Sequence, residues 1–337
     1  MSSPRHTITA LGAGAWGTTL ACLQAGKGRT VRLWARRPEF AAQLAREREN
    51  RDYLPGIPLP EAVAVTGDLQ AALEGVTQVI VAVPSHGLRE VMGQAVPYLA
   101  QSALVVCATK GLERPSGRRM SQVLGETLQD RVPRIVALSG PNLSAEIIAG
   151  EPAVSVAASD DMAAALEAQE LLSNSLFRVY TNSDIIGVEL CGAIKNVIAI
   201  GAGISDGLGF GNNAKASLLT RGMAEMRRLG LKLGAQADTF AGIAGVGDLI
   251  ATCHSHHSRN WTVGYRLGRG ERPDEITGSL HSVAEGIFTT FAARDKAREV
   301  GVEMPITETL ARVLAQEIPP GEAVKYLMAR RWRAEEE

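Results

Sequence analysis

The first β-rich run of the sequence ends in a glycine-rich turn. The segment TITALGAGAWGTTLA places Gly12, Gly14 and Gly17 between that run and the start of a helical one. A GxGxxG pattern between a strand and a helix is typical of the first unit of a dinucleotide-binding domain. Gly12 would allow the tight turn, Gly14 would let the backbone approach a pyrophosphate, and Gly17 would let the helix pack closely. The alternative is a tight turn that binds no ligand.

The rest of the N-terminal half alternates β-rich runs with amphipathic ones. Helical runs include residues 18–26 and 39–48. The candidate strands are TITALG, TVRLWA, AVAVTG, QVIVAVP, ALVVCATKG, RIVALSG and PAVSVAAS. Strongly apolar strands that alternate with helices predict an α/β Rossmann-type domain with a mostly parallel sheet.

After about residue 183 the pattern changes to long helical runs. SDIIGVELCGAIKNVIAIGAGISDG and AKASLLTRGMAEMRRLGLKLG both read as long helices, and no β-rich run follows them. We therefore expect an all-α C-terminal domain. The boundary is expected at residue 185, with a dinucleotide-binding domain over 1–185 and a helical substrate domain over 186–332.

Composition narrows the class of protein. The 337 residues are enough for two domains, and the formal net charge of −1 gives no general basic field for nucleic acid. No apolar run approaches the ~18 residues of a membrane span, and the N-terminus does not resemble a secretory signal. The four cysteines show no CxxC spacing. They are Cys22, Cys107, Cys191 and Cys253. We therefore expect reduced thiols and a cytoplasmic protein.

Two arginines follow the second β-rich run. Many dinucleotide-binding domains place an acid there, which binds the adenosine ribose and disfavours a 2′-phosphate. Here Ala35 is followed by Arg36 and Arg37. Guanidinium groups bind phosphate well, so this pair predicts NADP(H), with NAD(H) left open as a second cofactor. The alternative is a solvated pair at a helix start, where cations are slightly unfavourable.

Polar groups follow several of the later predicted strands. Ligands of an open parallel sheet bind beyond the carboxyl ends of its strands. Lys110 follows one such strand, and we interpret it as a substrate or phosphate contact rather than a surface lysine. Gly140 and Asn142 follow another strand and offer a backbone N–H and a small amide.

Lys195 lies alone within a predicted apolar helix. Its neighbours at helical spacing are small or apolar, so it does not lie on a solvated face. Burial lowers the pKa of a lysine, and a lysine near neutrality can exchange a proton with a reacting oxygen. The alternative is a lysine whose ammonium reaches the helix surface. Asp248, among small residues, reads as a partner for a buried cation.

The segment that follows gathers polar side chains suited to a phosphate. Ser258, Arg259 and Asn260 supply a hydroxyl, a guanidinium and an amide, which fit the oxygens of a phosphate monoester. Three histidines precede them. They are His254, His256 and His257. Their spacing does not give the ligand geometry that zinc needs, so we expect a polar loop and no metal.

Taken together, these motifs make the sequence resemble the bacterial type of NAD(P)-dependent glycerol-3-phosphate dehydrogenase. The resemblance covers about residues 7 to 328. The matching runs are GAGAWGTTLA, REREN RDYLPGI, VPSHGLR, TKGLE, SGPN, IKNVIAIGAGISDGLGFGNNAKASLLTRGMAEM, AGVGDLIATC, SRN, AEG and MPI. It implies a Rossmann-type domain, then a helical domain, with the active site between them, and a homodimer. The implied reaction is reversible reduction of dihydroxyacetone phosphate to sn-glycerol 3-phosphate, for phospholipid synthesis.

The resemblance also implies roles for individual residues. Lys195 would be the general acid/base at the C2 oxygen. The implied substrate contacts are Lys110, Gly140, Asn142, Lys195, Asp248, Ser258, Arg259 and Asn260. The implied cofactor contacts are Gly12, Gly14, Ala15, Trp16, Gly17, Arg36, Arg37, Tyr53, Lys110, Ser144, Arg259, Val283 and Glu285.

The sequence departs from the family pattern at three places. Asn142 stands where Ser or Thr is common, Leu143-Ser144 where Phe-Ala is usual, and Trp261 where Arg is frequent. Two other functions compete with the implied one. They are a related oxidoreductase acting on a β-hydroxy acid, and a non-catalytic NADPH sensor for which Lys195 and Asp248 would be dispensable.

Overall fold

The computed structural model describes residues 7–131, 133–279, 284–332 and 334–335. The strands in these ranges are β1 (Thr7–Leu11), β2 (Thr30–Trp34), β3 (Glu49–Asn50), β4 (Leu54–Pro58), β5 (Val63–Thr66), β6 (Gln78–Val81), β7 (Leu104–Cys107), β8 (Arg134–Ser139), β9 (Ala153–Ala158) and β10 (Phe177–Asn182). The helices in these ranges are α1 (Ala15–Gly26), α2 (Pro38–Glu47), α3 (Leu69–Leu73), α4 (Leu88–Ala95), α5 (Met120–Thr127), α6 (Ser144–Ile148), α7 (Met162–Leu172), α8 (Ile185–Gly207), α9 (Asn212–Lys232), α10 (Ala237–Ala241), α11 (Asp248–His254), α12 (Arg259–Gly268), α13 (Pro273–Ser279), α14 (Glu285–Val300), α15 (Pro305–Leu314) and α16 (Pro320–Met328).

Eight strands form one sheet in the order β10-β9-β8-β7-β6-β1-β2-β5. Neighbouring strands are parallel except β8 and β9, so the β9–β10 pair runs against the rest. The chain leaves β1 towards β2 and β5, then returns to β6 on the other side of β1. Such a reversal of strand order opens a crevice at the carboxyl ends of the two flanking strands. The predicted Rossmann-type sheet is confirmed, and this crevice lies between β1 and β6.

Three features of the strands were not predicted. The β-rich runs did not include β10, and neither the antiparallel β8–β9 pair nor the small antiparallel β3–β4 ribbon was expected. In β10, Phe177 and Val179 are buried, whereas Arg178 and Tyr180 are exposed. An edge strand of this kind buries only alternate side chains, so a search for continuous apolar runs misses it.

The first two helices lie close to their predicted positions. Helix α1 begins at Ala15, three residues before the predicted residue 18, because the extended Gly14 directly precedes its first turn. Helix α2 begins at Pro38, whose fixed φ suits a first helical position. Both helices therefore begin directly after the turns that follow β1 and β2, at the edge of the crevice.

Beyond Asn182, every regular element in the described ranges is helical, as predicted. Helix α8 lies at the centre and packs against α9, α11, α12 and α14. Its buried side chains, such as Ile194 and Ile198, belong to one large apolar core. A long helix enclosed in this way fixes the position of any polar group that it carries.

Helix α8 is the element of the described ranges that tests the expectation of no membrane span. By length and composition it could cross a membrane, with a mean hydropathy of 1.7 over its most apolar window. However, 89% of that window is buried inside the protein. The apolar surface of α8 is therefore already covered by the neighbouring helices.

Candidate active site

The glycine-rich turn lies at the crevice between β1 and β6. Gly12 has φ +108°, and a Cβ atom there would lie 2.6 Å from the carbonyl oxygen of Ala82, so a side chain does not fit. Beside Gly14, by contrast, nothing lies within 4 Å of the equivalent position. No side chain caps the N-terminus of α1. Its free N–H groups and the open space beside Gly14 fit the phosphates of a dinucleotide.

Asn50, which sequence reasoning did not single out, supports this turn. It is fully buried, and its Nδ2 donates to the carbonyl oxygen of Ala13 at 3.0 Å and to Thr18 Oγ1 at 2.7 Å. These bonds join the β3–β4 ribbon to the turn and to α1. The ribbon therefore holds the turn in its open shape.

Arg36 and Arg37 lie just beyond the carboxyl end of β2, and both are exposed. The Arg37 guanidinium lies 5.0 Å from the centre of the Phe40 ring, which packs edge-to-face against Tyr53 at 5.7 Å. Neither guanidinium forms an ion pair within the described ranges of the chain. Both guanidinium groups are thus available to an anion at this end of the crevice. They form a site separate from the lysine cluster described next.

Lys195 lies on α8 and is 6% exposed. Its ammonium donates to the Asp248 carboxylate and, at 2.9 Å, to Thr252 Oγ1. Burial has the largest effect on the pKa of Lys195 and lowers it, Asp248 raises it, and the nearby Lys110 lowers it. The result of these effects together is a pKa of about 7. A lysine with this pKa can both donate and accept a proton near neutral pH.

Lys110 reaches the same carboxylate from the sheet domain. Its Nζ lies 2.9 Å from Asp248 Oδ2 and 2.7 Å from the carbonyl oxygen of Gly140. Asp248 is 1% exposed and begins α11 directly after a π-helical turn over Ile243–Gly247. One buried carboxylate therefore bridges two ammonium groups. The cluster carries a net positive charge, which favours an anionic substrate.

The turn after β8 places amide and hydroxyl groups beside this cluster. Asn142 Nδ2 donates to Ser155 Oγ at 3.2 Å. Asn142 Oδ1 and Ser139 Oγ are buried and have no partner among the described residues. Buried polar atoms are normally satisfied, so these two are candidates to bind a ligand or water.

The three residues expected to bind phosphate lie at the start of α12. Ser258 caps the helix by accepting from Trp261 N at 3.3 Å, and Arg259 is its first residue. The Asn260 amide is already used, because it donates to Asn196 Oδ1 and accepts from Gly286 N, both at 2.9 Å. A phosphate here would meet the helix N-terminus, Ser258 and Arg259 more readily than the Asn260 side-chain oxygen.

Several of the remaining expected cofactor residues lie in the first turn of a helix. Trp16 packs edge-on against Phe177 at 6.1 Å, and its buried Nε1 has no partner among the described residues. Ala15 and Ser144 begin α1 and α6, and Glu285 begins α14. Val283 lies outside the described residues.

Of the three histidines, His256 packs with Trp261. Trp261 Nε1 donates to Asp206 Oδ2 at 2.7 Å, and the His256 ring packs edge-on against Trp261 at 4.5 Å. Among the described residues, no group of three or more His, Cys, Asp or Glu side chains could hold a metal ion. All four cysteines are free and buried.

Sequence reasoning missed three polar residues beside the lysine cluster. Asn196 directly follows Lys195, Thr252 lies one helical turn after Asp248, and Ser85 stood within a quoted motif without a role. The spacing of Thr252 and Asp248 at i and i+4 was a usable signal, because such residues lie on one helix face. Ser85 offered no such signal, since its partner lies 200 residues away.

Comparison with known proteins agrees with this architecture. Two models of NAD-dependent glycerol-3-phosphate dehydrogenase match, the N-terminal one over residues 7–165 and the C-terminal one over residues 184–325. The glycerol-3-phosphate dehydrogenase [NAD(P)+] of Geobacillus thermodenitrificans is 48% identical over 326 residues, covering 96% of this chain and 95% of the relative. That of Chlorobium limicola is 48% identical, covering 96% and 97%.

Solved structures show the same likeness. The glycerol-3-phosphate dehydrogenase from Coxiella burnetii has a TM-score of 0.93 and 39% identity, covering 97% of this chain and 99% of that one. A ketopantoate reductase from Ralstonia eutropha has a TM-score of 0.59 at 17% identity, covering 94% and 99%, and shares the fold alone. The chain therefore belongs to the NAD-dependent glycerol-3-phosphate dehydrogenase family.

Proposed function

We propose that this protein catalyses the reversible reduction of dihydroxyacetone phosphate to sn-glycerol 3-phosphate, with NADPH as the preferred donor. Membership of the family supports the reaction. The observation that carries the proposal is the Asp248 carboxylate, which bridges Lys195 from the helical domain and Lys110 from the sheet domain. The bridge combines a near-neutral proton donor with positive charge at the junction of the two domains.

Lys195 is the proposed general acid/base. In the reduction, its ammonium delivers a proton to the C2 oxygen of the substrate, and in the oxidation the neutral amine takes that proton back. Asp248 and Thr252 hold Nζ in place through two hydrogen bonds. The ammonium has three hydrogens, which leaves one to point at a substrate oxygen.

The substrate contacts follow from charge and position. Lys110, Gly140 and Asn142 would contact the substrate around C2, beside Asp248 and Lys195. The phosphate would bind at the N-terminus of α12, where Ser258 and Arg259 supply a hydroxyl and a guanidinium. Asn260 would act mainly through its backbone N–H, because its amide is bonded to Asn196 and Gly286.

The dinucleotide would bind across the crevice between β1 and β6. When bound, it supplies the hydride from C4 of the nicotinamide. The open space beside Gly14 and the uncapped start of α1 fit its pyrophosphate. The other proposed contacts are Gly12, Ala15, Trp16, Gly17, Tyr53, Lys110, Ser144, Arg259, Val283 and Glu285.

Arg36 and Arg37 are the proposed readers of the 2′-phosphate of NADPH. Both are exposed at the end of β2, and neither is used in an ion pair within the described ranges. An unpaired guanidinium can give a phosphate bidentate hydrogen bonds. The same pair offers little to the uncharged ribose hydroxyl of NADH.

The proposal extends to organisation and place in the cell. We propose a dinucleotide-binding domain over residues 1–185 and a substrate domain over 186–332, supported by the end of β10 at Asn182 and the start of α8 at Ile185. We also propose a cytoplasmic homodimer that supplies glycerol 3-phosphate for phospholipid synthesis and has no nucleic-acid partner. Sedimentation of the purified protein tests the dimer directly.

The function is tested by following the absorbance of NADPH and of NADH, at matched concentrations, with dihydroxyacetone phosphate. We expect turnover with both and a higher kcat/KM with NADPH. No turnover in folded protein that binds NADPH would favour the sensor, and turnover only with β-hydroxy acids would favour the rival dehydrogenase.

Cofactor selectivity is tested by replacing both Arg36 and Arg37 with alanine. The KM for NADPH should rise roughly tenfold or more, the size of a lost charge-assisted hydrogen bond, and that for NADH by about twofold at most. Arg46→Ala is the matched control, because Arg46 lies on α2 but pairs with Glu47 in solvent. An equal rise for both cofactors would contradict the assignment.

A further inference from the structure

A serine of the sheet domain holds a carboxylate of the helical domain. Ser85 follows β6 and is 3% exposed, and Glu285 is the first residue of α14. The backbone N–H of Ser85 donates to Glu285 Oε1 at 2.9 Å, and its hydroxyl donates to Oε2. Both oxygens of the Glu285 carboxylate are thus fixed by one residue.

A ring contact lies beside this pair. The ring of His86, next to Ser85, lies 5.7 Å from that of Phe288, less than one turn after Glu285. The two contacts join the 3₁₀ turn Ser85–Gly87 to the first turn of α14. The orientation of the Glu285 carboxylate is therefore set across the junction of the two domains.

The loop that carries Lys110 packs against the same pair. Gly111 has φ +159°, and a Cβ atom there would lie 2.8 Å from Ser85 Cβ and 3.2 Å from Glu285 Oε2. Thr109 also donates to the carbonyl oxygen of Val83 at 2.7 Å. Only a residue without a side chain leaves room for Ser85 and Glu285 beside Lys110.

Arg259 and Glu285 are neighbours, because the next residues of the two helices are joined: the backbone N–H of Gly286 donates to Asn260 Oδ1 at 2.9 Å. Even so, no ion pair joins Arg259 and Glu285 in the described part of the chain. Desolvation by the surrounding protein lowers the pKa of Arg259, and the negative charge of Glu285 raises it. Among the described residues, the Arg259 guanidinium has no hydrogen bond and no ion pair, and Glu285 is the carboxylate whose charge acts on it most strongly. A carboxylate free to rotate towards Arg259 would pair with it.

We infer that Ser85 is a positioning residue that holds the Glu285 carboxylate away from Arg259, so that the guanidinium stays available for the phosphate of the substrate. This inference rests on the proposed function, in which Arg259 binds that phosphate. Without the Ser85 hydroxyl, only the backbone N–H at position 85 still holds Glu285, so Oε2 can turn towards Arg259 and compete with the substrate. The reaction at Lys195 is unaffected once the substrate is bound.

Ser85→Ala tests this directly. The KM for dihydroxyacetone phosphate should rise about tenfold, the size expected for one charge-assisted hydrogen bond, while kcat changes by less than about twofold. Ser85→Thr keeps the hydroxyl and should restore a KM near that of the unmodified protein. Ser116→Ala is the matched control, because Ser116 also donates to a glutamate, Glu113, but on the exposed surface.

A second variant distinguishes competition of Glu285 with the substrate phosphate from a general disturbance of the site. In Ser85→Ala/Glu285→Gln, the side chain at 285 no longer carries the charge that attracts Arg259, so the KM for dihydroxyacetone phosphate should fall back below that of Ser85→Ala. This KM is measured at saturating NADPH, because Glu285 is also a proposed cofactor contact. An unchanged KM in Ser85→Ala, or no recovery in the double variant, would overturn the inference. The latter result would assign Ser85 a purely structural role.

The affinity for inorganic phosphate gives a readout that does not depend on turnover. Calorimetric titration of the full chain should show roughly tenfold weaker phosphate binding in Ser85→Ala, and recovery in the double variant. If dihydroxyacetone phosphate is not turned over, the proposed function fails, but this titration still decides the role of Ser85. Equal phosphate affinity in the unmodified protein and Ser85→Ala would overturn it.

Discussion

Helix α8 buries two side chains of opposite charge less than two turns apart, and they are treated very differently. Glu189 accepts from the Ser121 backbone at 2.7 Å, from the Ser121 hydroxyl at 2.6 Å and from Arg119 at 2.6 Å. Burial raises the pKa of Glu189, and Arg119 and Ser121 oppose that rise. Its charge is matched by one full opposite charge, and both oxygens are bonded.

Lys195 has no such complete set of partners. Asp248 and Thr252 take two of its three hydrogens, and the charge of Asp248 is shared with Lys110. Burial and a second cation then lower the pKa of Lys195 to about 7. The comparison teaches that burial of a charge does not by itself mark a reacting group. A reacting group is marked instead by a hydrogen without a partner and by a counter-charge that it shares with a second cation.

The largest expected effect is on catalysis. Lys195→Ala should lower kcat roughly 10³-fold, within the range for loss of a general acid, and leave NADPH affinity nearly unchanged. Asp248 keeps its partner Lys110, so the protein should stay folded. Steady-state rates and NADPH fluorescence titration measure both quantities.

Lys325→Ala is the control for this variant, because Lys325 pairs with Glu322 in solvent on α16. It should keep full activity. If Lys195→Ala retained most of its rate, Lys195 would have only a structural role, like Glu189. The distinction drawn here between the two buried charges of α8 would then be wrong.

The next effect is on stability. Glu189→Ala leaves the half-buried Arg119 without its carboxylate and should lower the free energy of unfolding by about 3 kcal/mol. Glu189→Gln keeps hydrogen-bond acceptors and should cost less. Urea unfolding measures the loss, and kcat per folded molecule should be unchanged. A fall in kcat without a loss of stability would assign Glu189 to the chemistry instead.

The smallest effect is the pH dependence. The reduction needs protonated Lys195, so its kcat/KM should decrease as the pH rises above about 7. Well above that pH, the decrease should approach tenfold for each pH unit. The oxidation needs the neutral amine and should fall in the same way below about 7. We expect the pH profiles of the two directions to bend at the same pH and with opposite slopes. That result would assign both bends to one reacting group and so separate Lys195 from Glu189. A bend only above pH 10 would show an unperturbed lysine.

Local patterns made much of the fold predictable. The strand, glycine turn and helix at residues 7–26 follow from backbone preference, and the start of α8 follows from a change of period near residue 183. The β10 strand escaped because its pattern alternates, and the β8–β9 direction escaped because no local signal sets the direction of pairing. The contact of Trp16 with Phe177 likewise depends on a segment far along the chain.

The sequence by itself determined most of the strands and the long helices, that Lys195 is buried, and that the first turn suits a phosphate. These properties depend on residues within one or two turns of each other. Only the tertiary structure decided that Asp248 meets Lys195 and Lys110, 53 and 138 residues away, and that Ser85 meets Glu285. Such contacts depend on strand order and helix packing, because segments that are distant in sequence come together only when the whole core forms.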